Sequence, residues 1–119
     1  SNAERIGHRL DRTGKDWGTI NVALHLHAPM TEAALLESMS IAVQARTAAV
    51  MEAGLRLPVG VATGTGTDCV AVAAPRGGQR YAGLHTEIGE AAGRAVYDAV
   101  LEGARDWIAS DRKTDTITT

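Results

Sequence analysis

A six-residue string combines the residue types that hold anions and stabilise developing negative charge. Two glycines stand between three threonine hydroxyls, and a carboxylate ends the string: Thr63, Gly64, Thr65, Gly66, Thr67 and Asp68. Glycine lets backbone N–H groups point at a ligand without a Cβ in the way, so the string could cradle a phosphate or an oxyanion. It lacks the lysine ending of a P-loop and the spaced glycines of a dinucleotide site. A Gly/Thr turn in which Asp68 caps its own backbone is the plainer interpretation.

A second string, residues 81–90, places a histidine directly before a predicted helix. His85 could act there as a general base or hold a water, and the positive end of the helix dipole favours negative charge developing nearby. In the alternative interpretation Thr86 caps the helix, Glu87 and Glu90 complement its dipole, and His85 is a polar junction residue.

Three further side chains carry reactive groups. His25 and His27 share one face of a predicted strand, but a zinc site there would need a third ligand, so a solvated or helix-covered strand face is favoured. Cys69, the single cysteine, would need an activating histidine to act as a nucleophile. Its place at the start of an apolar strand predicts burial instead.

Apolar periodicity predicts the elements that must position these side chains. Alternation predicts a strand over residues 19–27, and a helical period predicts a helix over residues 31–53, with Thr31 as its N-cap and Gly54 as its stop. The other predicted elements are strands over residues 57–62 and 69–74 joined by the 63–68 loop, a turn over 75–80, and a helix after Thr86 that ends at about Ser110.

The element order β-α-β-β-α predicts an α/β fold, a two-layer sandwich of helices packed on a small mixed sheet. The single domain is expected over residues 19–110, with an irregular lead-in over residues 1–18 and a frayed tail over residues 111–119. The predicted inward stripe of the first helix comprises Leu35, Met39, Ala42, Val43, Thr47, Val50 and Met51. That of the second comprises Ile88, Ala92, Ala95, Val96, Ala99, Val100 and Trp107.

Composition narrows the class of protein. The 119 residues suit one domain, and with aromatics at 3% and no Phe the core must be built from small aliphatic side chains that allow close-packed layers. A net charge of -2 without a basic run disfavours a nucleic-acid partner. One cysteine cannot close an intrachain disulfide, which favours the cytoplasm, and the apolar stretches are too short for a membrane span.

Three strings, in this order and spacing, resemble the adenosylcobinamide amidohydrolase family of corrinoid salvage. The first combines Gly18-Thr19-Ile20-Asn21 with the start of the first helix at residues 29–35 and with residues 44–49; the others are residues 62–68 and 81–90. The resemblance covers residues 18–103 and corresponds to the C-terminal portion of family members, which usually carry a further N-terminal region of comparable size. The chain departs from the family pattern at Leu84 and Arg46, where lysine is common.

The resemblance implies hydrolysis of the amide that joins the aminopropanol arm to the corrin ring, giving cobyric acid. The corrinoid is then a small-molecule substrate, no cofactor is expected, and a requirement for a metal stays open. For amide hydrolysis we expect His85 or Asp68 as the base, the backbone and hydroxyls of residues 65–67 as an oxyanion cradle, and Glu90 as orienter or proton donor. The expected substrate-binding residues are Asn21, Thr63, Gly64, Thr65, Gly66, Thr67 and Thr86.

Two other functions are compatible with the sequence. A corrinoid-binding or self-associating module could keep the fold without the activity, since few aromatic residues exist to line a pocket for a macrocycle. A homo-oligomer could instead complete its sheet with a second chain, because small-residue helices and uncovered strand edges allow it.

Overall fold

The protein, described by a computed structural model over residues 2–11 and 19–118, is built from two long helices and short strands. The backbone alone is described for residues 111–118. The elements in chain order are β1 Ala3–Glu4, β2 Asn21–His25, α1 Glu32–Ala53, β3 Arg56–Leu57, β4 Gly60–Val61, β5 Gly64–Thr65, β6 Cys69–Ala73 and α2 Glu87–Thr118. The predicted α/β class is confirmed, as two helices packed against small two-stranded sheets.

Helix α1 begins and ends where its local sequence predicts. The Thr31 side chain accepts a hydrogen bond from the Ala34 N–H at 3.2 Å, which satisfies one of the free donors of the first turn. At the other end Gly54 takes the left-handed conformation, with φ 77°, and its N–H donates to Val50 and Met51 carbonyl oxygens. Both signals are local, so they need no tertiary context to act.

In the part of the chain that the structure describes, the strands form three separate pairs. β2 and β6 are parallel, with Asn21 opposite Cys69 and His25 opposite Ala73, while β1 pairs antiparallel with β5 and β3 pairs antiparallel with β4. The chain passes from β2 through α1 and the β3–β4 hairpin before it returns to β6. This crossover brings the loop before β6 next to the start of β2.

The predicted single strand over residues 57–62 is wrong. Its residues form a tight hairpin instead, because Pro58 lacks an N–H donor and Gly60 takes a φ of 126°, both of which favour a turn. The lead-in is also partly ordered: Ala3–Glu4 forms β1, and Asn2 and Ala3 are buried. Helix α2 extends to Thr118, past its predicted end near Ser110, since no glycine or proline stops it there.

Small side chains make the contact between the helices and the sheet. The main core cluster comprises Leu24, Leu26, Met30, Ala34, Ile41, Ala42, Ala45, Ala82, Ala92 and Val96. The predicted stripe of α1 is only partly confirmed: Ala42 and Val50 are buried, but Met39 and Met51 are exposed. Alanine and serine face the core there because they let the helices approach closely, and the bulkier methionines lie outside.

Helix α2 also departs from its predicted stripe. Ala92 and Val96 are buried, but Ala95, Ala99 and Trp107 are exposed, the last with 43% of its surface accessible. These three line a cavity, which β2 and the end of α1 also line, and do not join the core. Within residues 2–11 and 19–118, no helix is both long and apolar enough to cross a membrane.

Candidate active site

Asp68 is the most heavily bonded side chain of the 63–68 loop, which we name the Gly–Thr loop. Its Oδ2 accepts hydrogen bonds from the Thr65 N–H at 3.0 Å and from the Arg46 guanidinium, and its Oδ1 accepts from the Ile20 N–H at 3.2 Å and from the Thr65 hydroxyl. The carboxylate therefore joins α1, the loop and the start of β2. The plainer interpretation, a carboxylate that caps its own turn, is confirmed.

The ion pair between Asp68 and Arg46 is largely removed from solvent. The two side chains are 9% and 15% exposed, and the Arg46 Nε is buried without a hydrogen-bond partner in the described part of the chain. Gly64 is required beside this pair, since a Cβ there would lie 2.5 Å from Asp68 Oδ2 and 3.0 Å from an Arg46 nitrogen. The loop is thus closed around a charge pair.

The backbone donors of the Gly–Thr loop are also engaged within the chain. The Thr65 N–H donates to Asp68, the Gly66 N–H to the Asn2 carbonyl oxygen at 3.3 Å, and the Thr67 N–H to the Thr65 hydroxyl at 3.5 Å. Thr63 is similarly occupied, because its hydroxyl accepts from the Ile6 N–H at 2.8 Å. The oxyanion role expected of this loop stays a prediction. In the structure, each N–H of residues 65–67 already donates to an acceptor within the chain.

A cavity of about 750 Å³ lies beside the Gly–Thr loop, between the edge of β2 and the middle of α2. Three of the expected substrate-binding residues, Asn21, Gly64 and Thr65, line one end of it. Most of the lining side chains are small and apolar, and they belong to β2, to the end of α1 and to α2. The lining residues of α2 include Ala95, Ala99, Gly103, Ala104 and Trp107. We name this cavity the α2 groove, and its chemistry suits a large apolar ligand with polar groups at one end.

His85 lies in a second cluster, at the start of α2, which we name the His85 turn and define as residues 82–86. Thr86 is the helix cap, as predicted: its hydroxyl accepts from the Gly89 N–H at 3.0 Å and donates to the Gly83 carbonyl oxygen at 2.8 Å. His85 and Glu90 are exposed near the positive end of the helix. The hydroxyl of Thr86 is therefore committed to the cap, while the imidazole of His85 is open to solvent.

The two clusters contact different parts of α1. The Gly–Thr loop binds Arg46 through Asp68, whereas the His85 turn binds Glu37, whose Oε1 accepts from the Ala82 N–H at 2.6 Å. Nine residues separate Glu37 from Arg46, which corresponds to about 13 Å along a helix. The structure thus brings Asp68 together with Thr65, and the backbone of the His85 turn together with Glu37, but it does not bring Asp68 together with His85.

The remaining reactive side chains lie on the open face of the β2–β6 pair. His25 and His27 are exposed, with ring centroids 4.7 Å apart, as expected of a solvated strand face. No group of three metal-ligating side chains occurs among the residues that the structure describes. Cys69 is exposed and not buried as predicted, because none of the elements formed by residues 2–11 and 19–118 covers this face of the two-stranded sheet.

Comparison with known sequences decides the family. The profile that describes adenosylcobinamide amidohydrolases matches residues 1–112 of the chain. The chain belongs to the adenosylcobinamide amidohydrolase family. The resemblance in the Gly–Thr loop and the His85 turn is therefore confirmed at the level of the family.

A relative of this amidohydrolase-family chain is the uncharacterized protein MJ1613 of Methanocaldococcus jannaschii. The two are 37% identical over 89 residues, which cover 71% of this chain and 35% of the relative. The chain thus spans about a third of the length of the curated relative that it matches. No solved structure matches the chain significantly.

Two residues that organise the candidate amidohydrolase site were not predicted as site residues. Arg46 entered the sequence analysis only as a departure from the family's lysine, although a charged residue in the apolar second half of α1 signals a buried partner. Glu37 gave no signal, because a glutamate near the start of a helix is ordinary. Its role depends on where the chain returns 45 residues later, which periodicity does not reveal.

Proposed function

We propose that the protein hydrolyses the aminopropanol amide of adenosylcobinamide or cobinamide and so yields cobyric acid for cobamide salvage. The observation that carries this proposal is membership of the amidohydrolase family over residues 1–112. The reaction consumes one water: a new C–O bond forms at the amide carbon, the C–N bond breaks, and aminopropanol leaves with an added proton. An amide needs an activated water, stabilisation of the oxyanion and a proton for the leaving amine.

His85 is the residue that we assign to activation of the water. Its exposed imidazole can take a proton from an attacking water, and its place before α2 puts the developing oxyanion near the positive end of the helix. Glu90, exposed one turn into α2, is placed to orient or protonate the departing amine. His85 and Glu90, the two exposed titratable groups of the expected site, thus have the catalytic roles in this proposal.

Asp68 and the Gly–Thr loop receive a different role in this proposal. Both oxygens of Asp68 are occupied by donors of the chain itself, so we assign the carboxylate to holding the loop and not to proton transfer. The loop then presents Gly64 and Thr65 to the α2 groove, beside Asn21. The macrocycle would occupy this groove, with its amide arm directed along α2 toward His85.

The proposed function is tested by following aminopropanol release from cobinamide. Wild-type protein and the His8→Ala variant, which loses an exposed histidine far from α2 in sequence, are expected to release it at equal rates. His85→Ala is expected to lose at least about a hundredfold in rate, as for removal of a general base. Release by His85→Ala at the wild-type rate would remove this residue from the mechanism.

A second function, corrinoid binding without hydrolysis, is favoured by one observation. The α2 groove begins at Ala95 on α2, ten residues past His85 and so about 15 Å along the helix. A bound macrocycle could therefore occupy the groove without meeting the imidazole. A saturable change in the visible spectrum of cobinamide, with no aminopropanol released over long incubation, would support this function over the first.

A further inference from the structure

Glu37 reaches out of α1 to the His85 turn. It lies in the second turn of α1, is half-buried, and binds the Ala82 N–H through Oε1 at 2.6 Å. Its second oxygen, Oε2, has no hydrogen-bond partner among the side chains and backbone of residues 2–11 and 19–110. Oε1 thus fixes the His85 turn, and Oε2 is available to accept a further hydrogen bond.

The available oxygen and the ring of His85 converge on Gly83. A Cβ at Gly83 would lie 3.1 Å from both Nδ1 and Cε1 of His85 and 3.4 Å from Glu37 Oε2. The missing side chain of Gly83 therefore leaves a space that both the Nδ1 edge of the imidazole and Glu37 Oε2 border.

We propose that Glu37 is a positioning residue for His85 in the amide hydrolysis. A rotation of the exposed His85 side chain brings its Nδ1–H to Glu37 Oε2, which then accepts a hydrogen bond from it. This bond fixes the neutral ring with Nε2 unprotonated and facing the substrate. Nε2 then takes a proton from the attacking water as the water oxygen bonds to the amide carbon. The proton passes to the departing amine, directly or through Glu90, as the C–N bond breaks. The carboxylate stays ionised throughout and stabilises the imidazolium that this transfer creates. The inference rests on the proposed function, since it needs His85 as the base.

The charged groups around the ring support an assignment to Glu37 over its neighbours. Glu87 and Glu90 are exposed on α2 itself, and neither is among the atoms nearest the space over Gly83. Glu37 comes from a different element and is anchored by its bond to Ala82. An anchored carboxylate holds a ring orientation at a lower entropic cost than one on a free side chain.

The test is a double-mutant cycle with Glu37→Gln and His85→Ala. Glutamine keeps an oxygen for the Ala82 N–H but removes the charge, and Glu32→Gln, in the exposed first turn of α1, is the matched control. Glu37→Gln is expected to lower kcat about tenfold to a hundredfold with KM changed less than about twofold. The double variant is expected to be no slower than His85→Ala alone, because Glu37 acts only through the ring.

Three results separate failure of this inference from failure of the proposed function. Wild-type kcat in Glu37→Gln, or losses that multiply in the double variant, would overturn the positioning role. Wild-type turnover by His85→Ala would instead overturn the proposed function. Nitrogen NMR of the neutral His85 ring gives a readout without turnover: we expect the Nδ1–H tautomer in the wild type and a shift to the Nε2–H tautomer in Glu37→Gln. An identical tautomer in both would contradict the proposal.

Discussion

Asp68 binds four donors from three segments of the chain with one carboxylate. Arg46 reaches it from α1, Ile20 from the position just before β2, and Thr65 contributes both its N–H and its hydroxyl. A buried charge is tolerated only when it is paired and hydrogen-bonded, and this one is both. The residue that the sequence marks as a catalytic candidate is, by its contacts, a cross-link of the fold.

Replacement of Asp68 by Asn tests this role through stability. The variant leaves the Arg46 charge 85% buried without a counter-ion, so we expect the free energy of unfolding to fall by about 3 kcal/mol. Asp98→Asn is the matched control, because its pair with Arg94 is exposed and should contribute less than about 0.5 kcal/mol. Urea denaturation measures both, and equal midpoints for the two variants would contradict the assignment.

At the scale of elements, the features that depend on local sequence were predicted correctly, whereas the features that depend on long-range contacts were not. Thr31 and Gly54 bounded α1 correctly, because a cap and a left-handed glycine act on their own turns. The strand pairing of Ala3–Glu4 with Gly64–Thr65 was missed, since two-residue strands carry no period. The separation of Asp68 from His85 was missed as well, because the sequence gives no distance between two loops at different parts of α1.

Gly89 shows how closely α2 approaches the His85 turn. A Cβ there would overlap the Gly83 carbonyl oxygen and lie 2.6 Å from that of Ala82, so we expect Gly89→Ala to reduce stability by about 2 kcal/mol. Gly103, in the same helix with open space around it, is the control. Gly103→Ala should raise stability by about 0.5–1 kcal/mol through helix propensity. Thermal unfolding of the two variants checks the signs, and stabilisation by both would refute the close approach.

For the whole molecule, the β2–β6 pair is less covered than parallel sheets usually are. Such sheets normally carry helices on both faces, whereas Asn21, Ala23 and His25 lie exposed on one face here. The chain also matches only 35% of its Methanocaldococcus relative. The open edge of β2 beside the α2 groove leaves room for either a ligand or another strand. Which of the two occupies the groove decides whether it serves corrinoid binding or self-association.

Trp107 offers a way to locate a bound corrinoid. It lines the α2 groove, so in a Trp17→Phe background its fluorescence should be quenched saturably by cobinamide. Ala99→Phe, which fills the groove, should weaken this binding about tenfold, while Ala48→Phe on the exposed surface of α1 should not. Equal affinities in the two phenylalanine variants would place the corrinoid outside the groove.

The proposed cleavage of the aminopropanol amide by water is tested most directly by mass spectrometry of the products formed in heavy-oxygen water. We predict cobyric acid with one labelled oxygen in its new carboxylate and unlabelled aminopropanol from the wild type, with both products lost in His85→Ala. Intact cobinamide after prolonged incubation with folded, corrinoid-binding wild-type protein would contradict the claim.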